Sequence, residues 1–345
     1  MRSIAWHEAV WVGYHGRGMI QRLAWTTVLL VSVLLAAPEA VRAQPAERGA
    51  RIAWLSASAF SPALVKEFED GLREAGWVPG RTITIDYRAA DGHYDRLAPL
   101  LAELLRLDPQ VILTAQTPAT QAARRATGTI PIVMVGNGDP VRYGLVRSLA
   151  QPEANVTGTA FLVNELGIKV LELLKEAVPQ TARVAFFVNP ANPGAAPLLE
   201  DARAAAPRLG LAIWPAQVST TAELDRTLDA LLKDRVDSLW LGPEAFLLAN
   251  RRRIIEFAIA NRLPAVGPSP AYSESGALMS YSPHISSLVR TSARYVDRLL
   301  KGAKPADLPV EQPSRFELVV NAKTAKALGL VLPPTFLLRA DRVIE

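Results

Sequence analysis

QVILTAQTPATQAARRATGTIPIVMVGNGDPV, running from Gln110 to Val141, is the stretch whose reading decides the fold. Val111-Ile112-Leu113 is a short apolar run, the mark of a strand covered on both faces of a parallel sheet. Thr117 and Pro118 then open a helix. Thr117 is placed to cap it, and Pro118 takes the first helical position, where a missing N–H costs nothing. Ile130 to Val135 repeats the apolar run, and Gly136-Asn137-Gly138-Asp139-Pro140 ends it in turn residues. Strand, helix and strand in this order make a right-handed crossover that leaves both loops at the carboxyl edge of one sheet. Open α/β sheets bind ligands along that edge.

Outward from this unit the pattern continues in both directions. Arg51 to Ser56 reads as a first strand, Pro62 to Ala75 as an amphipathic helix, and Thr82 to Tyr87 as an edge strand. Asp95 to Leu107 is a further helix, Leu145 to Leu149 a helical turn, and Val156 to Phe161 a short strand. A helix from Glu165 to Ala177 follows, and at Arg183 the pattern starts again, since RVAFFV matches RIAWLS in composition and place. Each pass runs strand, loop, helix, glycine, strand, with Gly76 in the first and Gly210 in the second. Helices over 195–208, 221–233 and 247–261 alternate with strands over 211–215, 238–241 and 265–267. This internal similarity predicts two α/β lobes of like topology, which suits 345 residues better than one core does. Leu278 to Tyr281 reads as a strand returning toward the first lobe, Ile285 to Leu300 as a long amphipathic helix, and Lys304 to Pro313 as an extended Pro-rich passage. Arg315 to Val320 and Ala322 to Leu328 supply a last strand and helix. Lobes crossed by more than one segment behave as a hinged clamp.

The expected boundaries are 44–161 with 284–313 for the N-terminal lobe, and 162–283 with 314–345 for the C-terminal lobe. Residues 1–43 are read as an upstream extension and a cleaved secretory signal. Leu23 to Ala37 is about fifteen apolar residues long, short for a membrane span, and Val41-Arg42-Ala43 places small residues before a cut at Gln44. The first eighteen residues lack the shape of a signal start, and Met19 is the expected initiator. Without cysteine there is no lipid attachment, disulfide or thiolate chemistry, so the expected location is a periplasm, without a lipid anchor. Removing residues 1–43 leaves 34 Lys and Arg against 31 Asp and Glu, a net charge of +3 with the signs interspersed. That balance argues against a nucleic-acid partner.

The residues spell no catalytic or metal motif. Of four histidines, His7 and His15 fall in the expected leader, leaving His93 in a turn and His284 at a helix start. Walker A, G-x-S-x-G, H-E-x-x-H and G-x-G-x-x-G patterns are absent. A binding cleft is better supplied. Ser58 and Phe60 follow the first strand, Gln116 and Thr117 the third, and Asn137 and Asp139 the fourth. Phe161 ends the short strand. Asn189 and Asn192 follow the strand that repeats the first, while Pro243, Glu244 and Ser269 end later strands, and Tyr281 lies at a lobe crossing. Helix N-termini beside these loops favour an anionic group on the ligand, and Asp139 or Glu244 would neutralise an amine. Against each of these stands a plainer role as a turn former, a helix cap or surface packing.

At these residues the chain resembles the substrate-binding proteins of a bacterial ABC-transporter group whose characterised members include tryptophan- and tyrosine-type binders. The carriers are TAQTPATQAARRATGTIPIVMVGNGDPV, NVTGTAF with ELGIKVLELLKEAVP, RVAFFVNPANP, GALMSYSP and the tail from Lys304 to Glu345. The likeness runs from about Arg51 to the end. It implies a type I periplasmic-binding fold, two Rossmann-like lobes joined by a three-segment hinge, closing on a small organic molecule such as an aromatic amino acid or aromatic carboxylate. The missing motifs predict that the chain is not an enzyme and needs no cofactor or metal; the expected protein is a monomer whose closed form a membrane permease recognises. A ligand sensor presenting that form to a membrane receptor is the alternative. The chain departs from the family pattern at Pro243-Glu244, where an acidic Pro-Asp pair is usual, and at Ser282 and His284, where Gly and Asp are frequent. These departures bear on the ligand, since function sits in the loops.

Overall fold

The computed structural model describes residues 49–345 apart from Leu162; the leader and cleavage site expected over 1–43 lie outside the described residues. The first five strands are β1 (Ala50–Ser56), β2 (Ile83–Ala89), β3 (Val111–Ala115), β4 (Ile132–Asn137) and β5 (Val156–Ala160). They form one parallel sheet in the order β2-β1-β3-β4-β5. Between them run α1 (Pro62–Glu74), α2 (Leu97–Leu105) and α3 (Thr117–Ala126). The chain continues through α4 (Val163–Ala177), β6 (Arg183–Val188), α5 (Ala195–Ala205), β7 (Ala212–Gln217), α6 (Thr221–Lys233) and β8 (Ser238–Leu241). Next come the short α7 (Ala245–Ala249), α8 (Arg251–Ala260), β9 (Ala265–Gly267), α9 (Pro270–Glu274), β10 (Met279–Pro283) and α10 (Ile285–Leu300). β11 (Phe316–Asn321), α11 (Ala322–Ala327), α12 (Pro334–Leu337) and β12 (Arg342–Ile344) complete it. The second sheet has the order β12-β11-β10-β9-β8-β6-β7, parallel except where β10 meets β11.

The two sheets repeat one plan. Order 2-1-3-4-5 in the first corresponds to 7-6-8-9-10 in the second, and in both the strand after the glycine turn is laid outside its predecessor. Gly76 and Gly210 make those turns at φ +92° and +65°, left-handed values that cost glycine little. Helices cover both faces of each sheet, so the strands read as apolar runs rather than alternations. Ile52, Leu113, Phe68 and the buried side of α10 fill one face of the first sheet, and Leu55, Ile112, Leu101 and Met134 the other. In the second sheet Phe186 stacks on Trp240 with ring centroids 3.8 Å apart. Side chains of this size contribute about 2 kcal/mol each on full burial.

The chain passes between the sheets three times. It leaves β5 for α4, returns from β10 to α10, which packs on the first sheet, and goes back to β11 through the Pro-rich passage. That passage is tied to β5: Glu311 N–H donates to Gly158 C=O, Ala160 N–H donates to Glu311 C=O, and Thr157 Oγ1 donates to Leu308 C=O at 2.6 Å. β10, the strand from which the chain returns toward the first sheet, itself pairs within the second, with β9 and β11.

Three local expectations are corrected. Residues 145–149 form an irregular, bent loop rather than a helical turn, and the helix read over 247–261 is two pieces that meet at Asn250. The fourth strand does not stop at Val135. It runs through Gly136 and Asn137 with a register shift against β5, because Gly158 leaves the room and Thr159 Oγ1 takes the Gly136 N–H at 3.1 Å. Gly158 sits at φ +124°, and a Cβ there would meet the Met134 carbonyl oxygen at 2.3 Å. Gly158→Ala therefore lowers stability by about 3 kcal/mol, read as an earlier urea midpoint; an unchanged midpoint would show that the bulge does not depend on this contact.

Candidate functional site

Parallel order places the loops after β1, β3, β6 and β8 at carboxyl edges, and in each sheet the topology reverses between the first and third strand of its unit. Ligands enter open sheets at such switch points. Here both switch points face one cavity of about 460 Å³, within the range of small-molecule sites. From the first sheet it is lined by Trp54, Ser58, Phe60, Gln116, Thr117 and Gly138, and from the second by Asn189, Asn192, Gly242, Pro243, Glu244 and Ser269. Phe161 at the β5 crossing and His284 at the start of α10 close its sides. The wall is mostly apolar. Among the described residues that line it, none is Lys or Arg, whereas Glu244, Glu274 and Glu317 are present.

Ten of the thirteen residues singled out from the sequence lie on this wall: Ser58, Phe60, Gln116, Thr117, Phe161, Asn189, Asn192, Pro243, Glu244 and Ser269. Phe60 both packs and lines. It meets Trp54 edge-on at 5.2 Å and Tyr87 at 5.4 Å, which holds its ring in place. The other three are elsewhere. Asn137 is fully buried beneath the wall, its Nδ2 donating to Thr120 Oγ1 at 2.6 Å, and that hydroxyl meets Thr114 Oγ1 at 2.7 Å. Asp139 turns onto its own loop, accepting from the Val141 and Arg142 N–H groups at 3.0 Å each. Tyr281 stacks on Phe316 across β10 and β11.

Thr117 is not the cap of α3. Gln116 holds that position at φ +73° and ψ 152°, and the Thr117 hydroxyl instead accepts from the Gly138 N–H at 3.3 Å, tying the β3 and β4 loops together. Such a backbone conformation strains any residue but glycine, and strain of this kind gathers at functional sites. Gln116 also carries a buried Oε1 with no hydrogen-bond partner. Three more unpartnered polar atoms belong to lining residues: Trp54 Nε1, Tyr272 Oη and His284 Nδ1. Buried polar groups ordinarily find partners, so four unpartnered atoms on residues around one cavity are exceptions of the kind that gather at functional sites.

Glu244 is the best-answered group. It caps α7, with Oε2 accepting from the Leu247 N–H at 2.8 Å and Oε1 from Asn189 Nδ2 at 3.0 Å. Asn189 is itself held, its Oδ1 accepting from Ser219 Oγ and the Ala191 N–H, both at 2.9 Å. From the first sheet the Tyr94 hydroxyl donates to Glu244 Oε1. Burial pushes the Glu244 carboxyl above its ordinary value, and the hydrogen bonds from Tyr94, Leu247 and Asn189 oppose that push. Burial, and then the charge on Glu244, raises the Tyr94 phenol.

Sequence reasoning missed Tyr94, Trp54, Tyr143 and Tyr272. Tyr94 carried a usable signal, since it follows β2 by a few residues at the same carboxyl edge. Tyr272 carried none, because its helix is a five-residue segment with no periodic stripe. Among the described residues no cluster of His, Asp and Glu is arranged to hold a metal ion.

Against known proteins, residues 55–344 match the model of the family described as ABC transporter substrate binding protein. The chain is 26% identical over 266 residues to a tyrosine-binding protein of Clostridioides difficile (strain R20291), covering 77% of this chain and 76% of that one. Its fold is similar to the crystal structure of an ABC domain in complex with L-Trp from Streptococcus pneumonia, with a TM-score of 0.79, 26% identity, and coverage of 86% and 100%. A conserved domain protein from Vibrio cholerae O1 biovar El Tor str. N16961 is similar to the same degree, with a TM-score of 0.79, 28% identity, and coverage of 86% and 100%. At the level of fold alone the likeness extends to type I periplasmic binding proteins 12% identical, with TM-scores of 0.56 and 0.50.

Two measurements test the site as built. Gln116→Gly relieves the strained backbone, so the variant is expected to be more stable by about 1 kcal/mol while losing its unpartnered acceptor; a lower melting temperature would refute the strain. For Glu244, a raised carboxyl means that folding takes up a proton. Its contribution is most favourable below the ordinary value and is lost as pH rises through the raised one. Glu244→Gln does not titrate, so its melting temperature relative to wild type is expected to rise as the pH climbs above the ordinary carboxylate range. A flat or falling difference would contradict the assignment.

Proposed function

This chain belongs to the family of ABC transporter substrate-binding proteins, and on that premise we propose that it captures an aromatic amino acid between two closing lobes for import. Members of the family bind substrate and do not transform it. The observation that carries the reading is the cavity where both switch points meet, walled by Trp54, Phe60 and Phe161 and free of Lys and Arg among its described residues. A ring fits an aromatic wall through offset and edge-on contacts. A net anion would find no cationic side chain there, whereas a zwitterion's ammonium is matched by the Gln116 Oε1 and by the acidic bias of the wall. Its carboxylate would meet hydroxyl and N–H donors, among them Ser58 and the Trp54 indole. The likeness to a tyrosine-binding protein and to an L-Trp complex supports the same class of ligand.

In this reading Ser58, Phe60, Gln116, Thr117, Phe161, Asn192, Pro243 and Ser269 contact the ligand, while Asn189 and Glu244 form the floor. The sheets and their helices act as lobes turning about the three crossings, and ligand shifts the population toward the closed form, which a membrane permease recognises. The protein works as a monomer in the periplasm after its signal is removed. No helix among the described residues is long and apolar enough to cross a membrane.

A thermal-shift panel of amino acids and aromatic acids tests this. L-tyrosine or L-tryptophan is expected to raise the melting temperature by a few degrees or more, aromatic acids without an ammonium group are not, and Phe60→Ala is expected to weaken binding roughly tenfold. A response to aromatic acids alone, or to neither amino acid, would overturn the ligand class.

A further inference from the structure

Behind the cavity floor made by Asn189 and Glu244, the two sheets meet along a seam whose other members, Tyr94, Gly92 and Phe246, do not line the cavity. Tyr94 opens a short 3-10 turn, Tyr94–Arg96, after β2, and its ring packs against the first sheet's core with Leu97 and Leu101. Its hydroxyl reaches across to Glu244, whose other two donors, Asn189 Nδ2 and the Leu247 N–H, both belong to the second sheet. Two residues before Tyr94 the backbones nearly touch: a Cβ on Gly92 would stand 2.9 Å from Phe246 Cα in α7. So close an approach excludes water from the hydrogen bond, and a bond to a buried carboxylate is stronger than one between neutral groups. Arg142 also crosses between the halves, to Asp201 at 2.7 Å and Glu200 at 3.9 Å, in contacts more open to solvent and screened accordingly.

We propose that Tyr94 is a positioning residue for solute capture, one that sets the closed population, and through it the affinity, by its hydrogen bond to Glu244 and without touching the solute. The proposal rests on the reading of the chain as a protein that closes on its ligand. If the sheets part, Glu244 keeps the two donors of its own sheet, so the second lobe stays folded. Of the three hydrogen bonds to Glu244, only the one from Tyr94 is lost. It therefore weighs the closed arrangement against the open one rather than the folded chain against the unfolded. A ligand that needs the closed form binds with an apparent affinity scaled by the fraction closed. Tyr94 tunes that fraction from behind the wall, and the capping role of Glu244 keeps the acceptor in place for it.

The test uses the absence of cysteine. Ala102→Cys and Asp229→Cys put fluorophores on exposed positions of α2 and α6, one on each sheet's helices. Single-molecule energy transfer is recorded without added solute, and then with L-tyrosine and L-tryptophan as probes. Tyr94→Phe keeps the ring and removes the hydroxyl. The closed-to-open ratio is expected to fall roughly tenfold, with unchanged circular dichroism, and the dissociation constant of any probe that binds is expected to rise. On a Glu244→Ala background, Tyr94→Phe is expected to change nothing further. An unaltered distance distribution in Tyr94→Phe overturns the proposal, as does a full additive effect on the Glu244→Ala background, which would mean that the hydroxyl acts through a partner other than Glu244. Should Tyr94→Phe misfold, Glu244→Gln, which keeps an acceptor oxygen without its charge, must shift the distribution the same way or the proposal fails. If neither amino acid binds the wild-type chain, the ligand class falls while the solute-free distributions still decide the role of Tyr94.

Discussion

A carboxylate taken out of water has to be answered by donors, and at Glu244 those donors come from both halves of the protein. Several neighbours on this side of the cavity are arranged around this one group. Asn189 is held by Ser219 and by its own turn so that its amide points at Glu244. α7 begins where it does because the carboxylate caps it. Gly92 lacks a side chain where the backbone of α7 comes close.

The constraint that delivers Glu244 to the cavity is older in the hierarchy than the contact itself. Parallel strands need crossovers, right-handed crossovers put every βα loop at one edge, and reversal of strand order opens a crevice there. Two such sheets joined by three crossings turn their edges toward each other, so loops more than a hundred residues apart in sequence share a wall. Ser58 and Gln116 from one sheet, and Asn189 and Glu244 from the other, meet for that reason.

The wall also stores strain. Gln116 is kept in a conformation glycine would adopt without cost, with its acceptor left open, while Thr117 gives up a capping role to bind the neighbouring loop. Local propensity and the tertiary arrangement disagree at these two residues, and such disagreement is expected where a site rather than stability sets the choice.

The order of elements was legible along the chain, because apolar runs and amphipathic stripes are local signals. β6, α6, β8, β9 and α10 begin and end where periodicity places them. The doubled strand-helix-glycine-strand pattern announced two sheets of one plan, and residues after strands were rightly sought at the carboxyl edges. Which of those residues face the cavity was not legible. Asn137 lies at the right edge but turns beneath the wall, since Gly158 lets β4 bulge and carries its side chain into the Thr114–Thr120 pair. Asp139 is spent on its own turn, and Tyr281 belongs to a strand whose pairing with β11 spans some forty residues. Tyr94 and Glu244 are 150 residues apart. Periodicity and turn chemistry are properties of neighbours in sequence, so they determined the elements, their order and the edge at which a ligand would be met. The orientation of each side chain at that edge, and the bond that draws the two sheets together, depend on contacts between distant segments, and only the tertiary structure decided them.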